Sequence, residues 1–392
     1  MTIATGSISC MACHDDLLVT GSTDETIKVF NVGKLREEGV LSSPSEGPVT
    51  CLALVGKTFL LSAGTHTHTH TTQTPATHSQ GGSKGRDKNQ SAGVIQPTMK
   101  KKKASSSTAV ASSLSTSRSR RGRLEQLVQR MEKQHGATAA PPAVKRRHRP
   151  SSKARSVGSG VGFPVEVWRV RDWELVKSLE GHTRRVSVVR VHPSGKAAVS
   201  IDQGGCLCLW DLMKGAAANR IQLTKRALDM RWSPSGSCYA LLHDTQVVVH
   251  DTDTTAGVTL ELDDVLRTPG HPDEPCCMCF AHEDLPLIGM RSGNIHGLSL
   301  KDIHHCNRGA VSRQSRAVTL AGHTGRIKGI AAWRQSGSVI EVVSACSQGL
   351  LCFWRIDGKQ LHSASSPLGC ISPLRCVETG CTVSCIECTT CV

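Results

Sequence analysis

Histidines and cysteines are the residues of this chain whose spacing could hold a metal ion. His66, His68 and His70 alternate with threonine, and alternate histidines can bind a divalent cation. No carboxylate or cysteine stands nearby to complete such a ligand set, so the drift of a low-complexity tract explains the run better. We therefore expect no metal at these histidines.

The end of the chain offers a second candidate metal site. Cys385, Cys388 and Cys391 are spaced as in some iron–sulfur ligand runs, but the expected fourth cysteine does not follow them. Cys376 or Cys381 could serve in its place. A zinc site would more usually show two CxxC pairs about a dozen or more residues apart. A frayed strand or an incorrect terminus explains the tail better, and we expect neither a metal nor a cofactor.

Motifs that carry a known catalytic mechanism do not occur in the sequence. There is no GxSxG, no P-loop, no HExxH and no GxGxxG that opens a helix. Serine, histidine and aspartate are frequent, but nothing in their order suggests a triad. We expect no enzymatic activity.

Charge is the strongest chemical signal in the chain. The net charge is +15, and residues 65–162 carry 19 Lys and Arg against three Asp and Glu, a net charge of +16. The rest of the chain is therefore close to neutral, and a polyanion partner is expected at residues 65–162. The candidate targeting and polyanion-binding residues are Lys100, Lys101, Lys102, Lys103, Arg118, Arg120, Arg121, Arg123, Lys145, Arg146, Arg147 and Arg149.

These basic residues admit three interpretations: a nuclear or nucleolar targeting signal, an RNA-binding arm, or a solvated low-complexity insertion. The segment holds no aromatic side chain that could stack on a base, so any RNA contact would be electrostatic and sequence-tolerant. Its composition buries too little apolar surface to offset the entropy of ordering, so we expect disorder. Residues 123–134 are an exception, because their apolar spacing is helical and could fold on a partner.

The elements that must position all of these residues are strands. Residues 181–211 open with Gly181-His182, close with Trp210-Asp211, and contain alternating apolar runs separated by short Pro/Gly turns. This pattern is typical of a WD repeat, a four-stranded blade of a β-propeller with roughly 40–45 residues. A single blade cannot bury both faces of its sheet, so further copies are required.

Related units recur along the chain, and they predict the domain organisation. At roughly 42 residues per blade, the residues outside 65–162 suffice for about seven blades. We predict an all-β WD-repeat β-propeller, seven-bladed with an incomplete closing blade. Its first blade and the start of the second occupy residues 1–64, the disordered basic insertion residues 65–162, and the rest of blades two to six residues 163–356. The Cys-rich tail, residues 357–392, is a possible partial seventh blade with a possible strand over Cys381 to Ile386.

A polar network is expected inside the blades. An aspartate usually stands six residues before the closing aromatic position, where its carboxylate accepts turn amides and a histidine proton. Gly204 and Gln348 occupy that position in two blades, with Asp202 displaced by two residues in the first of them. We expect structural rather than functional roles for Thr20, Asp24, His182, Ser200, Trp210, Asp211, Asp244, His323, Ser344 and Trp354.

Cysteine usage points to a reducing compartment. The chain has 18 cysteines, and its first ten residues lack the basic and apolar regions of a secretory signal. No apolar run approaches the ~18 residues that would suggest a membrane span. The cytosol or nucleus is therefore expected, with no membrane partner.

The order of the blades resembles the p21-activated kinase-interacting protein 1 family of WD-repeat proteins. The segments that carry the resemblance are VTGSTDETIKVFNV, GPVTCLALVGKTFLLSAG, HPSGKAAVSIDQGGCLCLWDL and RWSPSG. The resemblance covers about residues 6–64 and 165–356; the basic insertion is not part of the family's compact core, and the Cys-rich end matches poorly.

The resemblance implies a nuclear, nucleolar scaffold that helps to assemble the large (60S) ribosomal subunit with pre-60S assembly proteins. It also implies a second role, in which the protein binds and restrains a p21-activated kinase. Two alternatives stay open. The propeller could be an adaptor for another complex, such as a ubiquitin ligase, or the protein could bind RNA non-specifically through its insertion.

Overall fold

The computed structural model describes residues 6–42, 47–64, 162–252, 257–262, 273–300, 317–334, 338–357 and 370–386. The elements in these ranges are strands, and they form six sheets of four or five strands. The sheets are blades of a WD-repeat β-propeller, which confirms the all-β fold. A seventh blade is not among the described residues.

The first three blades follow one another along the chain, each with four antiparallel strands. The first consists of β1 (Ile8–His14), β2 (Leu17–Ser22), β3 (Thr26–Asn31) and β4 (Arg36–Ser42). The second consists of β5 (Val49–Val55), β6 (Phe59–Gly64), β7 (Phe163–Arg169) and β8 (Glu174–His182). The third consists of β9 (Val186–Val191), β10 (Ala197–Asp202), β11 (Cys206–Asp211) and β12 (Ala216–Gln222).

The remaining blades are less regular. The fourth consists of β13 (Asp229–Trp232), β14 (Cys238–Leu242), β15 (Gln246–Asp251) and β16 (Gly257–Glu261). The fifth consists of β17 (Pro275–His282), β18 (Leu285–Met290), β19 (Ile295–Leu298) and β20 (Ala317–Leu320). The sixth begins with β21 (Ile327–Arg334), β22 (Val339–Cys346) and β23 (Leu350–Asp357).

The tail enters the last two sheets, and here the sequence-based expectation is wrong. Strand β24 (Cys370–Ile371) pairs in parallel with β20, and β25 (Arg375–Glu378) pairs with β23 as the fourth strand of the sixth blade. The strand expected over Cys381 to Ile386 is not formed. Ile386 instead packs on β21, where a Cβ added to Gly329 would lie 2.6 Å from the Ile386 backbone nitrogen.

The core lies between the blades. Five apolar clusters fill the interfaces between successive blades, from the first with the second to the fifth with the sixth. The middle strand β10 shows why its sequence is apolar throughout. Val199 and Ile201 face the fourth blade, whereas Ala198 on the other side of the sheet faces the second. Because side chains alternate across a strand, a blade covered on both faces needs apolar residues at successive positions.

The outermost strands have the opposite character, which explains why the sequence pattern missed β4. Its seven residues, REEGVLS, are exposed or half-buried, and the chain enters it through Leu35 with a left-handed φ of 50°. An outer strand has fewer buried side chains than a middle strand, so its sequence shows little of the apolar pattern that identifies a strand. The strand-like sequence of the first blade ends at Val32, and the structure adds a fourth strand beyond it.

Successive blades also contact one another through their innermost strands, in the order β1, β5, β9, β13, β17 and β21. Together these six strands surround a central cavity of about 350 Å³. Strand direction alternates within a blade, so the β6–β7 connection leaves at the same end as the loops between blades. The turns between first and second strands, and between third and fourth strands, share the other end, which we call the turn face.

The second blade is built from two stretches far apart in sequence. β6 pairs antiparallel with β7, from Phe59 opposite Arg169 to Ala63 opposite Val165. The strands that flank residues 65–161 therefore lie side by side in one sheet. The expected disorder of those residues, and their possible helix at 123–134, lie outside the described residues.

Candidate functional site

The third blade contains the most complete polar network. Trp210 Nε1 donates a hydrogen bond to Ser200 Oγ at 2.7 Å, and His182 Nε2 lies 2.5 Å from the same oxygen. The three residues come from β11, β10 and the end of β8, so the network joins three strands of two blades. All three side chains are buried.

A carboxylate completes this network although position 204 is glycine. Asp202 Oδ2 lies 3.2 Å from His182 Nδ1, and Asp202 Oδ1 accepts hydrogen bonds from the backbone N–H groups of Gly204 and Cys206. A register shift between Ile201 and Asp202 turns the end of β10 toward the histidine. The two-residue displacement seen in the sequence therefore does not remove the carboxylate from the network.

Electrostatics follow from this contact. Burial opposes the charged imidazolium, but hydrogen bonds to Asp202 and to the Cys206 thiol outweigh it and raise the pKa of His182 above its usual value. Burial likewise opposes the Asp202 carboxylate, but the hydrogen bond to His182 lowers its pKa. The pair is thus stabilised in its charged form.

The sixth blade repeats the histidine, serine and tryptophan without the carboxylate. Trp354 Nε1 donates to Ser344 Oγ at 2.8 Å, and His323 Nε2 lies 2.7 Å from that oxygen. Gln348, at the position of the expected aspartate, accepts a hydrogen bond from Thr324 Oγ1 at 2.5 Å. With no carboxylate to oppose it, burial lowers the pKa of His323 to about 4.

The second blade has a related network that the sequence pattern did not reveal. Trp168 Nε1 donates to Ser62 Oγ at 2.8 Å, and Ser62 Oγ donates to Glu166 Oε2 at 3.2 Å. Ser62 and Trp168 are 106 residues apart, on opposite sides of the basic segment. The usable signal was the position of Trp168 in the third strand, which matches that of Trp210.

The remaining predicted network residues occupy varied positions. Thr20 is buried in β2, and Asp24 Oδ1 accepts from the Thr26 backbone N–H and hydroxyl. Asp211 Oδ1 accepts turn amides from Met213 and Lys214, so it closes the turn after β11 rather than joining the histidine.

Asp244 is placed differently from the expectation. It is exposed in the turn before β15, and the buried residue there is His243, whose Nδ1 lies 2.9 Å from the carbonyl oxygen of Arg226. The histidine bonds the backbone directly, so no carboxylate is needed at this blade. Placing Asp244 in a buried network is therefore wrong.

The central cavity carries a second buried charge cluster. Asp229 on β13 lies 2.9 Å from Arg190 and 3.2 Å from Arg231, and both arginines line the cavity. Burial opposes the Asp229 carboxylate, but the two arginines outweigh it and lower its pKa. The cluster ties β9 to β13 where the third and fourth blades meet.

Exposed apolar side chains mark the turn face. Leu35 is 80% exposed and Met213 is 75% exposed, each in a turn between third and fourth strands. Val32 and Phe59 are exposed at the same end of the first and second blades. Large exposed apolar residues are enriched where proteins dock, so this set is a candidate interaction surface.

The twelve candidate polyanion-binding residues, from Lys100 to Arg149, lie outside the described residues. So do His66, His68, His70, Cys388 and Cys391. Among the residues that the structure describes, no helix is long and apolar enough to cross a membrane.

Comparison with known proteins agrees with the repeat pattern. Residues 2–31 and 173–211 match the WD40 family, described as WD domain, G-beta repeat. The chain is 28% identical over 203 residues to the p21-activated protein kinase-interacting protein 1-like protein of Xenopus laevis, covering 52% of this chain and 50% of that protein. It is 26% identical over 223 residues to Protein MAK11 of Saccharomyces cerevisiae, covering 53% of each.

A further relative in Danio rerio, also named p21-activated protein kinase-interacting protein 1-like, is 25% identical over 201 residues. The chain spans about half the length of the curated relatives it matches. These homologues confirm the resemblance inferred from the order of the blades.

Proposed function

We propose that this WD-repeat propeller is a non-catalytic scaffold in nucleolar assembly of the large ribosomal subunit. The observation that carries the proposal is the similarity to both Protein MAK11 and the p21-activated protein kinase-interacting protein 1-like proteins. The family resemblance implies the ribosomal role, with pre-60S assembly proteins as partners. The kinase-interacting names of the relatives support a second role, binding of a p21-activated kinase.

The architecture supports different roles for the propeller and for the basic segment. The propeller presents the apolar turn face, whereas the end of β6 and the start of β7, which bound residues 65–161, lie at the opposite end of the second blade. A near-neutral body with exposed apolar residues suits specific protein contacts, and a segment of net charge +16 suits targeting and attraction to a polyanion. In this proposal the propeller binds assembly proteins and the basic segment brings it to the nucleolus.

Removal of the basic segment tests the proposal. β6 and β7 are paired neighbours, so residues 65–161 can be replaced by a short Gly/Ser turn that preserves the second blade. With a foreign nuclear import signal attached, this variant is expected to sediment with pre-60S particles. The measurement is a sucrose gradient of nuclear extract, with the full chain as the control.

Other outcomes separate the alternatives. Sedimentation of residues 65–161 alone, without that of the shortened propeller, would contradict the scaffold proposal and favour an RNA-binding protein. Affinity purification of the full chain that yields ubiquitin-ligase subunits and no pre-60S proteins would favour the adaptor.

A further inference from the structure

Two cysteines beside the buried histidine of the third blade form a cluster that the network does not use. Cys206 and Cys208 alternate on β11, so both point to the face on which His182 lies. The two Sγ atoms are 4.0 Å apart, and Cys208 Sγ is 3.8 Å from His182 Nδ1. Across the described residues, this trio alone brings three such ligand atoms within 4.8 Å of one another.

These separations are close to those of a tetrahedral zinc site. With Zn–S bonds of about 2.3 Å and Zn–N bonds of about 2.0–2.1 Å, tetrahedral geometry places two sulfurs about 3.8 Å apart and a sulfur and a nitrogen about 3.6 Å apart. Two of the observed distances exceed these values by only a few tenths of an ångström, and the third, from Cys206 Sγ to His182 Nδ1, is within 4.8 Å. Small side-chain rotations would therefore close the three ligands around one ion.

The surroundings of the trio match those of a metal-binding histidine. His182 Nε2 lies against Ser200 Oγ, so that nitrogen can keep its proton and donate it, whereas the ion would displace the proton that Nδ1 shares with Asp202 in the metal-free protein. Asp202 Oδ2 lies 3.2 Å from Nδ1 but is not among the ligand atoms that lie within 4.8 Å of one another, so a water molecule would take the fourth place. His182 and Cys208 are buried, whereas Cys206 is half-exposed and provides a route of entry.

We propose that His182, Cys206 and Cys208 bind a zinc ion inside the third blade. Thiolate and imidazole ligands select a soft or borderline cation such as Zn²⁺ over Mg²⁺ or Ca²⁺. The ion would link the end of β8 to β11, independently of the proposed function.

The sixth blade has a histidine and a cysteine at the positions of His182 and Cys208, so it can be compared with the third blade. Cys352 occupies the position of Cys208, and its Sγ also lies 3.8 Å from a histidine Nδ1, that of His323. Leu350 stands where the third blade has Cys206. The histidine–cysteine pair is thus repeated, and Cys376 Sγ lies 3.1 Å from Cys352 Sγ, but among the described residues only the third blade brings all three ligand atoms within 4.8 Å of one another.

Zinc stoichiometry of the full chain tests the proposal. Wild type and Cys206→Ser are stripped with a chelator under a non-thiol reductant, loaded with Zn²⁺, desalted and measured by elemental analysis. The variant is expected to hold one zinc per chain fewer than wild type. Other cysteines and histidines bind equally in both proteins, so they cancel in the difference.

A matched control separates ligand loss from loss of any buried thiol. Cys51 is a buried cysteine of β5 that is outside the trio, and Cys51→Ser is expected to retain the wild-type zinc content. Co²⁺ gives a second readout, because its thiolate charge-transfer absorption should weaken in Cys206→Ser alone. Equal zinc content and equal Co²⁺ absorption in all three proteins would overturn the proposal. Cys206 is half-exposed, so its replacement does not require a folded core to be rebuilt.

Discussion

At the residue scale, two histidines with the same hydrogen-bonding serine and tryptophan meet opposite electrostatic conditions. His182 has the Asp202 carboxylate at 3.2 Å, and its pKa is raised. Burial alone acts on His323, and its pKa falls from 6.5 to about 4. The difference comes from the neighbouring side chains, because Asp202 and Cys206 raise the pKa of His182 whereas burial is the cause that acts on His323.

The depressed pKa of His323 predicts a pH-dependent stability. Its ring stays neutral in the folded protein but takes up a proton in the unfolded chain below about pH 6.5, so stability falls as the pH drops from there toward 4. We expect His323→Gln to remove about 2 kcal/mol of this decline. The measurement is urea unfolding of both proteins at several values across that interval.

Ser344→Ala is the matched control for this prediction. It leaves the imidazole buried but removes the hydroxyl that bonds both Trp354 Nε1 and His323 Nε2, so stability should drop by about 1–3 kcal/mol even at neutral pH. The decline toward low pH should persist in this variant, because burial of the imidazole is its cause. Parallel pH profiles for wild type and His323→Gln would show that His323 does not titrate in this way.

Sequence patterns identified these residues unevenly. The Gly-His and Trp-Asp spacing predicted a polar network of His182, Ser200 and Trp210, and these buried side chains are hydrogen-bonded to one another. It did not predict that Asp202 bonds the histidine, because the register shift at Ile201 that turns it inward is a property of paired strands. Glu166 also escaped notice, since its neighbour Ser62 lies on the far side of the basic segment.

At the element scale, the second blade is held together by pairing between distant strands. The hydrogen bonds of β6 with β7 and the bond from Trp168 to Ser62 join the two sides of the basic segment. The sequence indicated this pairing, because strand-like residues stop at Gly64 and resume at Val165. It missed the outer strand β25, whose exposed residues carry little apolar periodicity.

Limited proteolysis tests the expected accessibility of the basic segment. Trypsin is expected to cut first at Lys100–Lys103 and Lys145–Arg149, where basic residues cluster in the segment whose composition predicts disorder. The resulting fragments should co-elute in gel filtration, because β6 and β7 remain paired and the clusters on both faces of the second blade persist. Fragments that separate without denaturant would show that this blade does not span the basic segment.

At the scale of the whole molecule, charge and shape are divided between two parts of the chain. The basic residues at 65–162 exceed the acidic ones by 16, whereas the remaining residues nearly balance. Composition alone reveals this division. The number of sheets could not be obtained in the same way, because the tail adds strands to the fifth and sixth blades rather than forming the predicted strand at Cys381 to Ile386.

This charge division predicts how any RNA binding responds to salt. Changing Lys100 to Lys103 to glutamine should lower affinity and flatten the plot of log affinity against log salt concentration, by about 0.7 for each lost contact to single-stranded RNA. A matched quartet on the propeller serves as the control, with exposed lysines changed to glutamine at Lys34, Lys57, Lys177 and Lys214. Fluorescence anisotropy with a labelled RNA gives the slopes. If both quartets flatten the slope equally, RNA binding depends on the overall charge of the protein and not on contacts from the basic segment.

The distance in sequence between Ser62 and Trp168 also determines how long β6 waits for its partner β7 during translation. A ribosome adds about 5–20 residues per second, so the 106 residues between these partners delay the arrival of β7 by about 5–20 s after β6 has been made. During that interval the nascent chain offers the unpaired edge of β6, with its apolar Leu60 and Leu61, to its surroundings. Such an edge is a template for strand addition by other chains. A co-translational chaperone that shields this half-built blade would therefore have its greatest effect on yield before residue 163 leaves the exit tunnel.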